Sequence, residues 1–332
     1  MTRRNANPYY DPAKYHHLPG GFRNPPGSPR GHRLTVELAR EAAHFLGEIR
    51  RLAGHYPFPP EHVIAEDDAI AMLRAETAAH SLTWLGHACF LVRMQGRVVL
   101  TDPYLTEYAS PFPLRTTRRL VPSAISIHRL PVVDTILISH NHYDHLDTSA
   151  LQQLAARFPS ALVIVPLGLR GLVREQGFHH VLELDWYDSH RDAELTVTAV
   201  PAVHASRRGI GDTNRTLWCG FRVEQGGFST YFAGDTAYGE VFREIGGRLG
   251  PVDLGLVPIG AYQPRGLMAP VHATPEDAVR IGEDLAAARL VGMHWGTIRL
   301  TTEPMLEPAQ RFLAAPGAIP RQVMRIGETL SL

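Results

Sequence analysis

Residues 139–147 read Ser-His-Asn-His-Tyr-Asp-His-Leu-Asp and hold four side chains that bind metals well, those of His140, His142, Asp144 and His145. Imidazoles and carboxylates packed this densely in a protein interior lose hydration at a high cost in free energy unless partners satisfy them. Bound cations satisfy such groups, and imidazole nitrogen together with carboxylate oxygen suits zinc. The segment therefore predicts a metal site built into the fold.

Further residues of the same kind follow apolar segments that read as strands. His140, His204, Asp235 and His294 each stand just past the end of such a segment. In a layered α/β protein the ends of these strands gather on one rim, where ligand sites form. We therefore expect one cluster at this rim. Its candidate metal ligands are His140, His142, Asp144, His145, His204, Asp235 and His294.

This set is too large for one zinc ion, which takes three or four protein ligands, and suits two ions that share a carboxylate. His140 and His142 are two residues apart, so in an extended loop they face the same side and can share one ion. Asp144 and His145 follow after the chain has turned and reach the other ion. Asp235 arrives from a separate strand, and we expect it to bridge the two ions.

The composition excludes several classes of protein. The 332 residues include 33 basic and 33 acidic ones, so a nucleic-acid binder that works by bulk charge is not expected. The two cysteines, Cys89 and Cys219, cannot make a disulfide framework. No secretory signal and no run of 18 apolar residues is visible. We expect a cytoplasmic protein, with peripheral membrane contact and homodimerisation left open.

The chain divides near residue 80. Residues 1–33 are rich in Pro, Gly, Arg and His and predict an extended arm. Apolar residues then recur at helical spacing up to Gly54, which predicts one amphipathic helix. They are Leu38, Ala42, Phe45, Ile49 and Leu52. We assign residues 1–80 to an N-terminal arm and helix that pack on the main domain or on a partner chain, and residues 81–332 to the main domain.

The main domain reads as an α/β protein. Strands are predicted at 81–85, 89–94, 97–101, 132–139, 162–166, 181–184, 194–200, 218–223, 230–233, 254–259 and 290–293. Helices are predicted after Asp147, at 169–176 and at 275–288. Strands come first as meanders and later alternate with helices, which predicts two mixed β-sheets packed face to face and flanked by helices.

The pattern His-x-His-x-Asp-His at 140–145, with a later His, Asp and His, resembles the metallo-β-lactamase fold superfamily, whose fold is an αββα sandwich. Other motifs between residues 82 and 300 resemble, within it, the N-acylphosphatidylethanolamine-hydrolysing phospholipase D family. They are Thr-Trp-Leu-Gly-His-Ala at 83–88, Leu-Thr-Asp-Pro at 100–103, Phe-Ala-Gly-Asp-Thr at 232–236, Gly-Ala-Tyr-Gln-Pro-Arg at 260–265, His-Ala-Thr-Pro-Glu-Asp-Ala at 272–278, His-Trp-Gly-Thr at 294–297 and, in the arm, Phe-Arg-Asn-Pro at 22–25. The resemblance implies that residues 81–332 are a metal-dependent hydrolase domain.

The resemblance also implies roles for single residues. It gives His140, His142 and His204 to a first zinc ion, Asp144, His145 and His294 to a second, and Asp235 to both. It makes His87 and Asp102 groups that orient ligands by hydrogen bonds, with buried polar groups satisfied by the backbone as the alternative. It places His272 near the substrate, with a surface-loop histidine as the alternative on sequence alone. The candidate catalytic residues are Asp144, Asp235 and His272.

Candidate substrate-binding residues lie close to these ligands. Arg207 and Arg208 come three and four residues after His204. Their guanidinium groups can grip a phosphate with two parallel hydrogen bonds, or they can be solvated loop charges. Tyr262, in the motif at 260–265, is a third candidate.

Together these residues predict a dinuclear zinc hydrolase that uses a metal-bridging hydroxide on N-acylphosphatidylethanolamine-like phosphodiesters. No Ser-His-Asp or Cys nucleophile is visible, so a covalent intermediate is not expected. The alternative on the same metal site is a lactonase or another carboxylic-ester hydrolase, and a remote one is a non-catalytic metal- or lipid-binding scaffold. The chain departs from the family at Gly266 and Leu267, where bulky aromatic residues are expected, and at Val271, where a polar one is.

Overall fold

The computed structural model of the protein describes residues 6–29, 35–54, 56–192 and 195–332. Residues 1–5 and 30–33 of the predicted arm, and residue 194 of a predicted strand, lie outside the described residues. In chain order the first strands are β1 (His17–Leu18), β2 (Gly21–Phe22), β3 (His80–Gly86), β4 (Cys89–Met94), β5 (Arg97–Thr101), β6 (Thr135–Leu137), β7 (Leu162–Pro166) and β8 (Val181–Leu184). The later strands are β9 (Ser189–Asp192), β10 (Leu195–Val200), β11 (Gly220–Gln225), β12 (Phe228–Phe232), β13 (Leu254–Pro258), β14 (Leu290–Met293), β15 (Arg321–Gln322) and β16 (Thr329–Ser331). The helices are α1 (Val36–Leu52), α2 (Glu66–Ala75), α3 (Thr148–Arg157), α4 (Arg170–Arg174), α5 (Val241–Leu249), α6 (Arg265–Met268), α7 (Pro275–Asp284) and α8 (Glu307–Ala314).

Two mixed sheets of seven strands each form the main domain, in the orders β16-β3-β4-β5-β6-β7-β8 and β15-β14-β13-β12-β11-β10-β9. In each sheet the chain first makes an antiparallel meander, β3 to β5 or β9 to β12. It then adds parallel strands, up to β8 or β15, separated by helices. The two halves of the chain therefore repeat one plan, and the predicted α/β sandwich of two mixed sheets with flanking helices is confirmed.

Apolar side chains from both sheets belong to one continuous core. Strands β6, β13 and β14 are buried along their whole length, as expected of parallel strands covered on both faces. Asp147 caps α3 by accepting a hydrogen bond from the backbone N–H of Ala150 at 3.0 Å, as the sequence predicts. The core thus holds the carboxyl ends of the strands, and the loops that follow them, in fixed places.

Several predicted bounds differ from the observed ones. The strand predicted at 132–139 spans only Thr135–Leu137, and Val132, at the predicted start, is 71% exposed. The helix predicted at 275–288 ends at Asp284, because Ala286 adopts a left-handed conformation that closes it. The sequence did not predict β1, β2, β9, β15, β16, α5, α6 and α8, most of which are short or lie near a chain end.

Helix α1 confirms the predicted amphipathic helix, yet none of its residues is fully buried. It packs on the short helix α6, which precedes the motif at 272–278. Gly266 in α6 meets it closely, since a Cβ at that position would lie 2.2 Å from Oε2 of Glu41. None of the helices in the described ranges is long and apolar enough to cross a lipid bilayer.

Candidate metal centre

The loops that follow the strands bring the seven candidate ligands together at one rim. His140 lies three residues beyond the end of β6, His204 four beyond β10, Asp235 three beyond β12, and His294 directly after β14. All seven have their ligand atoms in one of two adjoining groups, and the atoms of each group lie within 4.8 Å of one another. The structure therefore brings all seven residues together at one rim, as the sequence predicts.

The first group consists of His140, His142, His204 and Asp235. Nδ1 of His142 faces Nε2 of His140 at 2.8 Å and Nε2 of His204 at 3.3 Å. The two Nε2 atoms lie 3.9 and 3.7 Å from Oδ2 of Asp235. Three ring nitrogens and one carboxylate oxygen thus surround a common point.

The second group consists of His87, Asp144, His145 and His294. Nε2 of His294 and Nε2 of His145 face each other at 3.2 Å, and they lie 3.6 and 3.5 Å from Oδ2 of Asp144. Nε2 of His87 is 3.0 Å from the same oxygen. His87 is therefore placed to orient the Asp144 carboxylate, which is the role the sequence analysis expects of it.

Asp235 stands between the two groups. Its Oδ2 faces the first group and also lies 3.2 Å from Nε2 of His145, while its Oδ1 lies 3.0 Å from Nε2 of His294. The preceding Gly234 makes this approach possible, because it adopts a φ of +59° and a Cβ there would lie 2.5 Å from Cβ of Ser139. Oδ1 of Asp235 thus faces the second group, and Oδ2 lies between the two groups.

In three of the histidines, the ring nitrogen that points away from the cluster makes a hydrogen bond. This bond decides which of the two ring nitrogens carries the proton. Nδ1 of His145 donates to Oδ2 of Asp102 at 2.6 Å, and Nδ1 of His204 donates to the carbonyl of Val271 at 2.8 Å. Ser139 donates its hydroxyl proton to Asp102, so its oxygen accepts from Nδ1 of His140 at 2.9 Å. The Nε2 atoms of His140 and His204 therefore carry lone pairs that point into the cluster, and Nε2 of His145 points there as well, with a lone pair once that ring is neutral.

Imidazole nitrogens and carboxylate oxygens gathered around common points in this way fit bound cations. A buried carboxylate oxygen without a donor loses free energy, and a cation would satisfy it. Among the described residues Oδ1 of Asp235 has no hydrogen-bond donor in a suitable direction. Because metal-binding histidines commonly donate their other N–H to a carboxylate or a carbonyl, the donor set fits a pair of metal ions. The buried His and Asp clusters therefore indicate a dinuclear metal site.

Burial and mutual charge set the protonation of the cluster. Burial lowers the pKa of His140 and of His204 well below the ordinary value, which leaves both rings neutral. Burial alone would raise the pKa of Asp235, but the neighbouring histidines, led by His145, hold it well below its usual range. Burial would lower the pKa of His145, but the carboxylates around it, led by Asp235, raise it well above the ordinary value. Neutral imidazoles and ionised carboxylates are the forms that bind metals, so metal binding at His145 would require its ring to release a proton.

The remaining candidates take different places. His272 is half-buried, and its ring centre lies 5.2 Å from that of His204 and 5.6 Å from that of His294, so it lies beside both groups. Tyr262 is buried and its hydroxyl donates to Glu307 at 2.7 Å, so that hydroxyl is already engaged away from the cluster.

The two arginines after His204 differ from each other. Nη1 of Arg208 donates to the carbonyls of Asn141 and Leu146 at 2.9 and 2.8 Å, and its guanidinium lies 3.8 Å from the ring centre of Tyr143. Arg208 therefore ties the His204 loop to the His-rich segment. The Arg207 side chain is exposed, and its one hydrogen bond among the described residues is a long contact of 3.4 Å with the carbonyl of Gly209.

Two groups that hold the ligands were not singled out from the sequence. Ser139 connects Asp102 to His140, and its place directly before a ligand histidine is the only local signal for this role. The carbonyl of Val271 leaves no signal in the side-chain pattern at all. Asp102, which the sequence analysis treats as an orienting group or a satisfied buried group, accepts from Ser139 and His145 and so is the former.

Comparison with known proteins places the chain among enzymes. The family model for the beta-lactamase superfamily domain matches residues 97–295 of this chain. The chain is 37% identical over 263 residues to N-acyl-phosphatidylethanolamine-hydrolyzing phospholipase D 1 of Caenorhabditis elegans, which covers 76% of this chain and 72% of that protein. It is 36% identical to the mitochondrial N-acyl-phosphatidylethanolamine-hydrolyzing phospholipase D of Saccharomyces cerevisiae over 69% of this chain, and it spans only half of that relative's length.

Solved structures share the fold at low sequence identity. A possible metal-dependent hydrolase from Veillonella parvula superposes with a TM-score of 0.62 at 18% identity, over 77% of this chain and 100% of that one. A diiron beta-hydroxylase from Streptomyces venezuelae superposes with a TM-score of 0.56 at 20% identity, over 77% of this chain and 55% of that one. At these identities the likeness concerns the fold alone.

Proposed function

Because this chain belongs to the beta-lactamase superfamily, we propose that it is a dinuclear zinc phosphodiesterase of the phospholipase D type, acting on N-acylphosphatidylethanolamine-like lipids. Its homologues and its buried His and Asp clusters make it a metal-dependent hydrolase. The proposal adds the substrate class, the identity of the metal and the roles of single residues.

The observation that carries the proposal is the pair of donor groups that Asp235 joins. A two-metal site can hold both the attacking and the leaving oxygen of an in-line displacement at phosphorus. The relatives from Caenorhabditis elegans and Saccharomyces cerevisiae, whose names specify hydrolysis of a phosphodiester lipid, support the same chemistry. We assign the ligands as the sequence analysis does: His140, His142 and His204 to the first ion, Asp144, His145 and His294 to the second, and Asp235 to both. A donor set dominated by imidazole favours zinc, and iron, which the Streptomyces protein of this fold uses, is the competing metal.

Different residues would have different roles in the reaction. When bound, the two ions lower the pKa of water to roughly 7 and offset the charge that develops on the phosphate oxygens. Asp102, Ser139 and the Val271 carbonyl hold the ligand rings in place, so the site needs little reorganisation during the reaction. His272, half-buried beside both groups, is the residue we propose to hydrogen-bond the substrate at the point of cleavage.

Helix α1 supplies what we propose as one wall of the lipid groove. At position 266, where the family expects a bulky aromatic residue, a Cβ would lie 2.2 Å from the Glu41 carboxylate of α1, so a larger side chain would require that carboxylate to move. Leu267 and Val271 are half-buried, as are Leu38 and Phe45 of α1. An apolar surface that is only partly covered, next to His272, fits an acyl chain better than a small polar substrate.

The test of this function compares substrates on one preparation. Zinc-loaded protein is assayed with N-acylphosphatidylethanolamine in mixed micelles, with bis-para-nitrophenyl phosphate and with a simple lactone, and metal-stripped protein is the control. We expect hydrolysis of the diesters only with metal. We also expect ¹⁸O from labelled water in the phosphomonoester product, because attack occurs at phosphorus. Preference for the lactone would establish the carboxylic-ester alternative, and no turnover by protein that retains both metals would establish a non-catalytic scaffold.

Arg207 and Arg208 provide a matched pair of variants. We propose that Arg207, whose guanidinium is exposed, binds a non-bridging phosphate oxygen of the substrate. Arg207→Ala is then expected to lower kcat/KM for diesters about 10- to 100-fold, the value of one charge-assisted hydrogen bond, and to leave ester turnover unchanged. Arg207→Lys should restore little, because an ammonium lacks the planar fork.

Arg208→Ala should behave differently, because this side chain braces two loops. It should lower the melting temperature and reduce diester and ester turnover together. Steady-state kinetics and thermal unfolding separate the two patterns. If Arg207→Ala leaves diester kinetics unchanged, this arginine is solvated surface and does not contact the substrate.

A further inference from the structure

Residues 21–24 of the N-terminal arm lie along the loop that carries His204. The backbone N–H of Phe22 donates to the carbonyl of Asn214 at 2.8 Å, and the Phe22 ring is buried. Gly21 permits this approach, because a Cβ there would lie 2.1 Å from the same carbonyl oxygen. Asn214 is in turn bonded to Ser206 through both backbone and side chain. The arm is thus fastened to the loop two residues past the ligand.

Asn24 contacts the ligand residue itself. Its Oδ1 accepts one hydrogen bond from the backbone N–H of His204 at 2.9 Å and another from the indole Nε1 of Trp218 at 3.0 Å. The His204 ring is held separately, by the carbonyl of Val271. Asn24 therefore sets the position of the His204 backbone, and Val271 sets the orientation of its ring.

The same N-terminal part of the chain holds a second ligand loop at another point. His62, between α1 and α2, is buried and donates from Nε2 to the carbonyl of Gly296 at 2.7 Å. Its ring stacks on Phe58 and meets the edge of Trp295. Gly296 has a φ of +65°, and a Cβ there would lie 2.7 Å from Cε1 of His62, so the two are packed without a gap. Gly296 is the second residue after His294.

We propose that the N-terminal segment is a positioning element of the metal centre, in which Asn24 sets the His204 loop and His62 sets the His294 loop. The proposal rests on the proposed function, in which His204 binds the first ion and His294 binds the second. Asn24 then acts on the site of the first ion and His62 on the site of the second. Neither residue touches a ligand ring, so each acts through the backbone of its loop. Groups that orient metal ligands from outside typically contribute 10- to 100-fold to metal affinity.

The experiment measures metal binding rather than turnover. Asn24→Ala and His62→Leu are made in the full chain, and zinc occupancy at each site is read from anomalous scattering, with affinities from titration of the metal-free protein. Asn24→Ala is expected to weaken the first ion about 10- to 100-fold and leave the second near wild type, and His62→Leu is expected to do the reverse. Asn24→Asp should bind as wild type, because the carboxylate keeps the oxygen that accepts both hydrogen bonds. If Asn24→Ala does not fold, Asn24→Gln, which displaces that oxygen by one methylene, takes its place with the same expected direction.

Tyr9→Phe is the matched control. It removes the contact of the arm with Glu183, at 2.9 Å, and touches neither ligand loop. Both ions should remain at wild-type occupancy in this variant, and His204→Ala and His294→Ala supply the pattern of a lost ligand. Wild-type protein that carries its metals on other residues would refute the proposed centre. A different result would overturn the positioning role alone. It is wild-type protein that holds both ions in place, while Asn24→Ala lowers the affinity for neither ion or for both ions equally.

Discussion

Asp235→Asn is expected to lower turnover by about a thousandfold or more and to reduce the metal content. The change keeps the size of the side chain and removes the negative charge that lies 3.0 and 3.2 Å from the second donor group and 3.7 and 3.9 Å from the first. Two cations about 3.5–4 Å apart in a site shielded from water would repel strongly without a carboxylate between them. Loss of the stabilisation that metal ions give a transition state, several kcal/mol, corresponds to that reduction in kcat. Steady-state kinetics and metal analysis of the purified variant measure both effects.

Asp144→Asn is the matched comparison for this prediction. Its carboxylate contacts only the second donor group, so under the proposed assignment the variant loses the second ion and retains the first. An Asp235→Asn protein that keeps two metals and near-normal turnover would show that this carboxylate does not bridge them.

Asp102→Ala should destabilise the protein more than any other single change at the centre. The carboxylate is completely buried and accepts hydrogen bonds from the backbone N–H and the hydroxyl of Ser139, at 2.7 and 2.6 Å, and from Nδ1 of His145 at 2.6 Å. In the metal-free protein the raised pKa of His145 keeps that ring charged. Asp102 shares this charge with Asp235 and Asp144 and is the carboxylate hydrogen-bonded to Nδ1, so its removal should cost up to about 3–5 kcal/mol of the free energy of unfolding. Denaturant unfolding of the metal-free variant measures this loss directly.

The same variant should also weaken the second ion. Without Asp102 nothing holds the proton of His145 on Nδ1, and the loss of such a partner typically lowers metal affinity 10- to 100-fold. Ser139→Ala removes one of the three hydrogen bonds and leaves the His145 contact, so its effect on stability should be much smaller. If Asp102→Ala is as stable as Ser139→Ala, the carboxylate is not the anchor that we take it to be.

Sequence reasoning located the rim of the site because the relevant signal is local. His140, Asp235 and His294 each follow a short apolar run, and a parallel strand buried on both faces has that composition. Since such strands end together at one edge of a sheet, the clustering of these residues follows from the pattern. The spacing of His140 and His142 likewise placed both in one group.

What the sequence did not reveal depends on contacts between distant parts of the chain. Asn24 and His204 are 180 residues apart, and the composition of the arm predicts only an extended segment. Motif position also does not predict side-chain direction. Tyr262 lies in a loop at the rim, but its hydroxyl points to Glu307, and Arg208 turns back to backbone carbonyls that only the folded loop presents.

The repeated plan of the two halves has a consequence for folding. His140 to His145 come from the first half of the chain, whereas His204, Asp235 and His294 come from the second. Under the proposed assignment each ion takes ligands from both halves, so neither half alone offers a complete coordination shell. The ions then act as removable cross-links across the sandwich. Their binding energy adds to the cohesion of the two halves, by about 2.7 kcal/mol per site when free metal exceeds its dissociation constant a hundredfold, and metal uptake reports that the two sheets have docked correctly.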